Sequence, residues 1–203
     1  MDVDDFHKRL KEIYSPPKNQ FTLIEVPEIR FAVIDGKGDP QSDELKNAIK
    51  WLYSLVHLVK PLVKKRMGKR FIGPPVEFLF WADNGQNLLS CDKEKWSWRV
   101  MVVFVDWITQ EVFADAVLKA QNKLGPAPET LRLENLHEGK SVQFLHIGDY
   151  AEIESICNKL YGEYLPDNNL HPHGCYHEIY LNDPARAAPN KRKTLIRQPV
   201  ILN

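Results

Sequence analysis

The sequence predicts an α+β fold made of two repeats, each with the order strand, helix, strand, strand. The strand-like runs that open the repeats end in the same dipeptide, Gly38-Asp39 in one and Gly148-Asp149 in the other. A helical pattern follows each dipeptide, and two more strand-like runs follow each helix. We expect two pseudo-twofold-related repeats, with antiparallel sheets, helices on one face and a ligand cleft between the repeats.

The chain is expected to form one domain, because 203 residues are enough to bury a substantial core. Its first repeat covers about 29–107, a connector about 108–140 and its second repeat about 141–203. A short amphipathic helix at about 4–13 precedes the repeats.

The first repeat opens with the apolar run IRFAVID at 29–35. A helix follows, because apolar residues recur at spacings of four and three. These residues are Leu45, Ile49, Leu52, Val56, Val59 and Val63. Pro61 lacks a backbone donor, so the helix should kink or stop near it. VEFLFWA at 76–82 and WSWRVMVVFVDW at 96–107 are the closing strands, with a turn at DNGQN between them.

The rest of the chain also alternates between helical and strand-like patterns. In chain order it contains a helix at about 109–124, a strand-like run at 130–136, a strand at 141–147, a helix at about 151–165, and strands at 175–183 and 193–202. Gly125 and Pro126 end the first of these helices. The turn HEGK precedes the strand that opens the second repeat.

Charge and hydropathy argue against a nucleic-acid partner and a membrane partner. Lys+Arg and Asp+Glu both number 27, so the chain lacks the basic excess of proteins that grip phosphates. The basic runs at 64–70 and 191–193 are typical of solvated helix ends and loops. No stretch is long and apolar enough to cross a bilayer or to serve as a signal core. We therefore expect no nucleic-acid partner and no membrane partner.

The cysteines and histidines predict neither a metal site nor a redox centre. Cys91, Cys157 and Cys175 lack CxxC spacing and are typical of thiols in a reducing compartment, which predicts a cytoplasmic protein. The His-Pro-His triplet at 171–173 favours a plain loop. Without a Gly-rich phosphate loop, no cofactor is expected. The oligomeric state is left open.

One strand-like run carries an acid between two aromatic residues. Alternation puts Tyr176, Glu178 and Tyr180 on one strand face, and the more apolar opposite face would pack under the helices. From the residues alone, Glu178 can lie either on a solvated sheet face or in a pocket.

The first repeat offers further candidates for a ligand-binding wall. These are Glu77, Trp81 and Trp98, which would line the cleft if the two repeats face each other. Flat apolar walls with one or two carboxylates suit planar or cationic aromatic molecules. The alternative is a structural role: the tryptophans as core, and Glu77 as the partner of an arginine such as Arg197, which could equally pair with Glu178.

Two residues beside the second Gly-Asp pair have competing roles. Tyr150 is either a pocket wall or a packing residue at the start of a helix. His146 favours a hydrogen-bonded structural role over a catalytic one.

The ordered motifs of the second repeat resemble the GyrI-like family of small-molecule-binding domains. The motifs are His146-x-Gly148-x-Tyr150 before the helix and Glu178-x-Tyr180-x-x-x-Pro184 after it. Such domains are drug-sensing modules of multidrug transcription activators and also stand-alone proteins. The two-copy order extends the resemblance over roughly 20–203. FWADN, DKEKWSWR and the tail at 183–200 are similar to a stand-alone bacterial subgroup.

The resemblance implies a pocket with the glutamate at the Glu178 position at its bottom. It implies binding of hydrophobic or planar aromatic molecules, and it allows hydrolysis of electrophilic cyclopropane-containing toxins. In that chemistry Glu178 would position or deprotonate a water, and Tyr180 would donate to the developing oxyanion. The alternatives are a non-catalytic drug-sequestering or sensing module and a protein inhibitor of DNA gyrase type. A DNA-binding regulator is disfavoured, because about 28 residues precede the first predicted strand.

Overall fold

The computed structural model describes residues 3–68, 70–71, 73–82, 92–104, 106–183 and 185–202. The helices are α1 (Val3–Ile13), α2 (Asp43–Met67), α3 (Gln110–Leu124), α4 (Ile153–Lys159) and α5 (Leu165–Asp167). The strands are β1 (Thr22–Val26), β2 (Ile29–Lys37), β3 (Val76–Ala82), β4 (Trp96–Val103), β5 (Arg132–Leu136), β6 (Gly139–Ile147), β7 (Leu170–Pro172), β8 (Tyr176–Tyr180) and β9 (Lys193–Leu202). The predicted turn at 83–87, Cys91 and Pro184 lie outside the described residues.

The chain divides into two compact units. The central unit is Ile29–Leu136, and the terminal unit combines Met1–Glu28 with His137–Asn203. The central sheet has the strand order β3-β4-β2-β5, and the terminal sheet has the order β1-β6-β9-β8, with β7 also paired to β9. The neighbours described in each unit are antiparallel, which confirms the predicted α+β class. The pseudo-twofold relation and the single-domain boundaries stay predictions.

Strand β1 was not predicted, so the expectation that the first strand begins at residue 29 is wrong. β1 precedes β2 in the chain, yet it pairs with β6 of the terminal unit. Similarly, β5 precedes β6 but pairs with β2 of the central unit. Each sheet therefore takes one short strand from a distant part of the sequence, and such long-range pairing leaves no local signal.

Helix α2 buries the apolar face that its spacing predicts. Leu52, Val59 and Val63 are fully buried. Ser42 caps the helix by accepting a hydrogen bond from the backbone N–H of Leu45 at 3.3 Å. The helix runs through Pro61 to Met67 and does not stop at the proline. Pro61 is solvent-exposed, so its ring is accommodated on the outer side of the helix.

The third predicted helix is irregular. It begins as a 3-10 turn at Tyr150–Glu152, continues as α4, widens into a π-helical turn at Leu160–Tyr164 and ends as α5. Its buried side chains pack on the terminal sheet in a cluster that contains Val142, Leu160, Leu165, Leu170 and Val200. A π-helical turn changes the rotation of the residues that follow it, and such turns occur often near functional sites.

Within the described residues, no helix has the length and apolar character needed to span a bilayer.

Candidate functional site

The candidate site is centred on a carboxylate that two tyrosines hold. On β8, the hydroxyl of Tyr176 donates to Oε1 of Glu178 at 2.8 Å, and the hydroxyl of Tyr180 donates to Oε2 at 2.6 Å. The three side chains therefore share one strand face, as alternation predicts. Glu178 and Tyr180 are half-buried, whereas Tyr176 is buried. Both oxygens accept a hydroxyl proton, which is the pattern of an ionised carboxylate.

Helix α4 covers this face. The Cys157 thiol donates to the Tyr176 hydroxyl oxygen at 3.4 Å. In the π-helical turn, the Tyr161 hydroxyl donates to Oε1 of Gln198 on β9 at 2.6 Å. The expectation that the opposite face of β8 would be the one under this helix is therefore wrong. The opposite face was judged by the apolarity of Ile179 and Leu181, but the polar face folds inward because its hydroxyls and carboxylate satisfy one another.

Burial keeps both tyrosines that hold Glu178 in their protonated form. The pKa of Tyr176 and that of Tyr180 are raised well above 10, first by burial and then by the charge of Glu178. A protonated Tyr180 is a donor, but its proton already faces Glu178. In this structure the Tyr180 hydroxyl therefore orients the carboxylate, and its donation to a substrate oxyanion stays a prediction.

Tyr150 extends the site along the ring of Tyr180. Asp149 caps the 3-10 turn by accepting from the N–H of Ala151 at 3.0 Å, and Tyr150 opens that turn. The rings of Tyr150 and Tyr180 lie edge to face with centroids 5.4 Å apart. Burial raises the pKa of Tyr150, Glu178 adds to the shift, and Arg192 opposes it. The contact is compatible with both roles left open for Tyr150, so its place in a pocket wall stays a prediction.

The opposite face of β8 holds a buried ionic cluster that sequence analysis missed. Glu138 lies 2.9 Å from Nδ1 of His177 and accepts a hydrogen bond from Arg197 Nη1 at 2.7 Å. Burial opposes the charge of Glu138, yet His177 and Arg197 outweigh it and hold its pKa at about 2. Arg197 also donates to the carbonyl of Ile13 at 3.4 Å, which ties the end of α1 to this face.

This cluster corrects the pairing expected for Arg197, whose hydrogen-bonded acid is Glu138 and not Glu77 or Glu178. Glu138 lies in the turn HEGK, where an acid is normally solvated. Only the fold reveals its burial, so the sequence offered no signal for it.

Glu77, Trp81 and Trp98 do not line one wall of the central unit. The β3–β4 register pairs Trp81 with Ser97 and Phe80 with Trp98, so the two tryptophans project from opposite faces. Glu77 shares the face of Trp81 and is fully buried. Trp98 is also fully buried. Because their side chains project from opposite faces, the expectation that Glu77 and Trp81 share one wall with Trp98 is wrong. Ligand contact by any of the three stays a prediction.

Two histidine expectations can be compared with the structure. The ring Nε2 of His146 lies 3.0 Å from the carbonyl oxygen of Asp149, which agrees with a structural role at the turn. The triplet at 171–173 was expected to be a loop, but Leu170–Pro172 forms β7 and pairs with β9. In the described part of the chain, no group of three His, Cys, Asp or Glu side chains could hold a metal ion.

Comparison with known proteins identifies the family of the chain. The model of the GyrI-like small-molecule-binding domain matches residues 19–201. The chain belongs to the GyrI-like family. The match spans both compact units, and no curated protein matches the chain.

Solved structures of two Listeria innocua proteins resemble this GyrI-like chain over nearly its whole length. An uncharacterised conserved protein is 32% identical with a TM-score of 0.84, covering 97% of this chain and 98% of its own. A hydrolase is 30% identical with a TM-score of 0.79 and the same coverage, 97% and 98%. The C-terminal domain of EcmrR, 14% identical with a TM-score of 0.57 over 91% of this chain and 98% of its own, shares the fold.

Proposed function

We propose that this GyrI-like protein binds hydrophobic, planar aromatic molecules beside Glu178 and hydrolyses those that carry an electrophilic cyclopropane ring. The observation that carries the proposal is the half-buried Glu178 carboxylate, held at both oxygens by the hydroxyls of Tyr176 and Tyr180. A carboxylate fixed in this way is pre-oriented toward a ligand, and little ordering remains to be done upon binding.

Aromatic surface surrounds the carboxylate. The rings of Tyr150 and Tyr180 lie edge to face beside Glu178, and both residues are half-buried. A planar ligand gains stacking and apolar contact from such rings. A positive charge on the ligand would be attracted to Glu178, which supports binding of cationic aromatic molecules as well.

The carboxylate is also a suitable acceptor for a water molecule. The hydroxyls of Tyr176 and Tyr180 orient both oxygens of Glu178, and a carboxylate oxygen can accept more than one hydrogen bond. A water that donates to this carboxylate would be aligned for attack on a nearby electrophile. That one Listeria innocua relative of 30% identity is a hydrolase supports this chemistry.

The proposed reaction balances without a cofactor. The water oxygen forms a bond to a cyclopropane carbon as the strained carbon–carbon bond breaks. The released electron pair passes into the conjugated ring and ends on its carbonyl oxygen. Glu178 accepts the water proton, which then passes through solvent to that oxygen, so the carboxylate is regenerated and the product is the substrate plus water.

Binding without turnover is the second candidate, since the same carboxylate and rings would serve a drug-sequestering or sensing protein equally well. Inhibition of DNA gyrase stays a prediction from the sequence. It would use a protein-binding surface, and no contact at Glu178 bears on it.

The test follows a planar aromatic dienone that carries a spiro-cyclopropane ring. Wild type, Glu178→Gln and the exposed control Glu163→Gln are incubated with it, and mass spectrometry measures the water-added product against an enzyme-free sample. We expect acceleration by wild type and Glu163→Gln and none by Glu178→Gln. Binding without any acceleration would leave the sequestering function in place and remove the hydrolase. Absence of binding would remove both.

A further inference from the structure

Arg192 is a cation at the site that the proposed mechanism does not use. Its guanidinium carbon lies 4.7 Å from the centroid of the Tyr150 ring. The side chain is half-buried, and among the described residues its buried Nε–H has no hydrogen-bond partner. A guanidinium that stacks on a ring through its flat face keeps its N–H donors free along its edge. A buried donor without a partner is costly, so its persistence needs a reason.

The backbone around Arg192 is fixed from both sides. The side-chain amide of Asn182 donates to the carbonyl of Lys191 at 2.9 Å, and its oxygen accepts from the N–H of Lys193 at 2.9 Å. The carbonyl of Arg192 itself accepts from the N–H of Gly148 at 3.0 Å. Because Gly148 lies two residues before Tyr150, the same junction sets the position of both members of the stacked pair. This bracing is what a pre-organised binding group requires.

Tyr150 is the second donor of this pair. Among the described residues, its hydroxyl is not one of the groups that bind Glu178, in contrast to the hydroxyls of Tyr176 and Tyr180. Burial raises its pKa, so the hydroxyl stays protonated at neutral pH and can donate. The ring of Tyr180 contacts the ring of Tyr150, and the hydroxyl of Tyr180 donates to Glu178. Tyr180 therefore lies between Tyr150, the ring on which Arg192 stacks, and the carboxylate of Glu178.

We infer that Arg192 and Tyr150 form a subsite that binds the carbonyl oxygen of a planar aromatic ligand next to Glu178. The inference rests on the proposed function, because it assumes that the ligand lies at this site. It names the ligand class more closely as uncharged aromatic ketones and conjugated dienones. In the hydrolysis, the carbonyl oxygen is where the electron pair ends, and a guanidinium there stabilises the charge that develops.

The subsite also changes what is expected of cationic ligands. Arg192 and Glu178 both act electrostatically on Tyr150, one with a positive and the other with a negative charge, so the two charges offset each other for a ligand that spans the site. A neutral ligand with a carbonyl can contact Glu178 and accept a hydrogen bond from Arg192. A cationic ligand is attracted by Glu178 and repelled by Arg192. Removal of the Arg192 charge should therefore tighten cation binding.

Three probes separate these contributions: fluorene, fluorenone, which has the same ring system with a carbonyl, and the cation tetraphenylphosphonium. Affinities are measured by calorimetry or tryptophan fluorescence for wild type, Arg192→Met, Tyr150→Phe and Arg186→Met. Arg186 is the matched control, because it belongs to the same loop and its side chain is 88% exposed. Circular dichroism of each variant checks that the fold is intact.

We expect wild type and Arg186→Met to bind fluorenone about tenfold more tightly than fluorene, the effect of a hydrogen bond from a charged donor. Arg192→Met should bring the two affinities close together and tighten tetraphenylphosphonium binding, and Tyr150→Phe should reduce the preference partly. Equal binding of fluorene and fluorenone by wild type would overturn the subsite and leave the proposed function standing. So would an undiminished preference in both Arg192→Met and Tyr150→Phe. If wild type binds none of the probes, both proposals are overturned.

Discussion

The Tyr180 hydroxyl donates to Oε2 of Glu178 over 2.6 Å, within a single strand and two residues apart. Alternate residues of a strand project to the same face, so the geometry of β8 itself brings these two side chains together, without help from distant segments. The bond fixes the carboxylate plane and uses the tyrosine proton. The acid and the phenol therefore form a unit in which Tyr180 orients Glu178, and the proposed ligand would meet the carboxylate.

Tyr180→Phe should lower the turnover number more than it lowers substrate affinity. The ring remains, so contact with Tyr150 is kept, but one hydrogen bond that orients Glu178 is lost. We expect a loss of roughly tenfold in turnover, equivalent to about 1.4 kcal/mol in the transition state. Steady-state kinetics with the spiro-cyclopropane dienone measure the two parameters. An equal loss in both parameters, or none, would contradict the orienting role.

Glu178→Gln should weaken the binding of cationic aromatic ligands by about 1–3 kcal/mol and barely change that of neutral ones. The substitution removes the negative charge and keeps the side-chain size. Fluorescence titration with tetraphenylphosphonium and with fluorene compares the two classes, and Glu163→Gln serves as the exposed control. Equal losses for both ligands would mean that the carboxylate contributes shape and not charge.

The sequence predicted the local part of this site well. Alternation at 176–180 placed Tyr176, Glu178 and Tyr180 on one face, and the hydrogen bonds among them agree with it. Apolar spacing predicted the buried face of α2, because helix periodicity is also a local property. The strand alternation and the helix spacing both depend only on residues that are close together in the chain.

The sequence failed wherever distant segments decide the outcome. Trp81 and Trp98 were placed on one wall, but their faces depend on the β3–β4 register, which no residue in either strand specifies alone. Glu138 lies in the predicted turn HEGK, and nothing in that turn signals that His177 and Arg197 from β8 and β9 pair with it in a buried cluster. Arg192 belongs to a basic run that is typical of a solvated loop, yet the fold places its guanidinium over the ring of Tyr150.

The Glu138 cluster should make folding stability sensitive to acid. The Glu138 pKa is about 2 in the folded protein and 4.5 as the ordinary value. Its contribution to stability is therefore complete above about pH 4.5 and is lost as pH falls toward 2. This difference between the two pKa values corresponds to about 3 kcal/mol in the free energy of unfolding at neutral pH.

Urea unfolding of wild type and Glu138→Gln at pH 7 and pH 3 measures this contribution. The difference in unfolding free energy between the two proteins should shrink by about 2 kcal/mol at the lower pH, since the unfolded wild type then binds a proton there. Other carboxylates titrate equally in both proteins and cancel. A difference that is the same at both pH values would show that Glu138 contributes packing and not charge.

Trp98→Ala should act on the stability of the central unit. The side chain is fully buried, and a Cβ placed on Gly36, its cross-strand neighbour, would lie 2.2 Å from the Trp98 ring. Truncation leaves a large cavity, and we expect a loss of about 3–5 kcal/mol in the free energy of unfolding.

Gly36→Ala should cost about 1–3 kcal/mol by overpacking the same place. In the double variant the added methyl group enters the space that the ring has left, so the combined loss should be smaller than the sum of the single losses. Urea unfolding of the four proteins completes the cycle, and strict additivity would mean that the ring and the glycine do not share this contact.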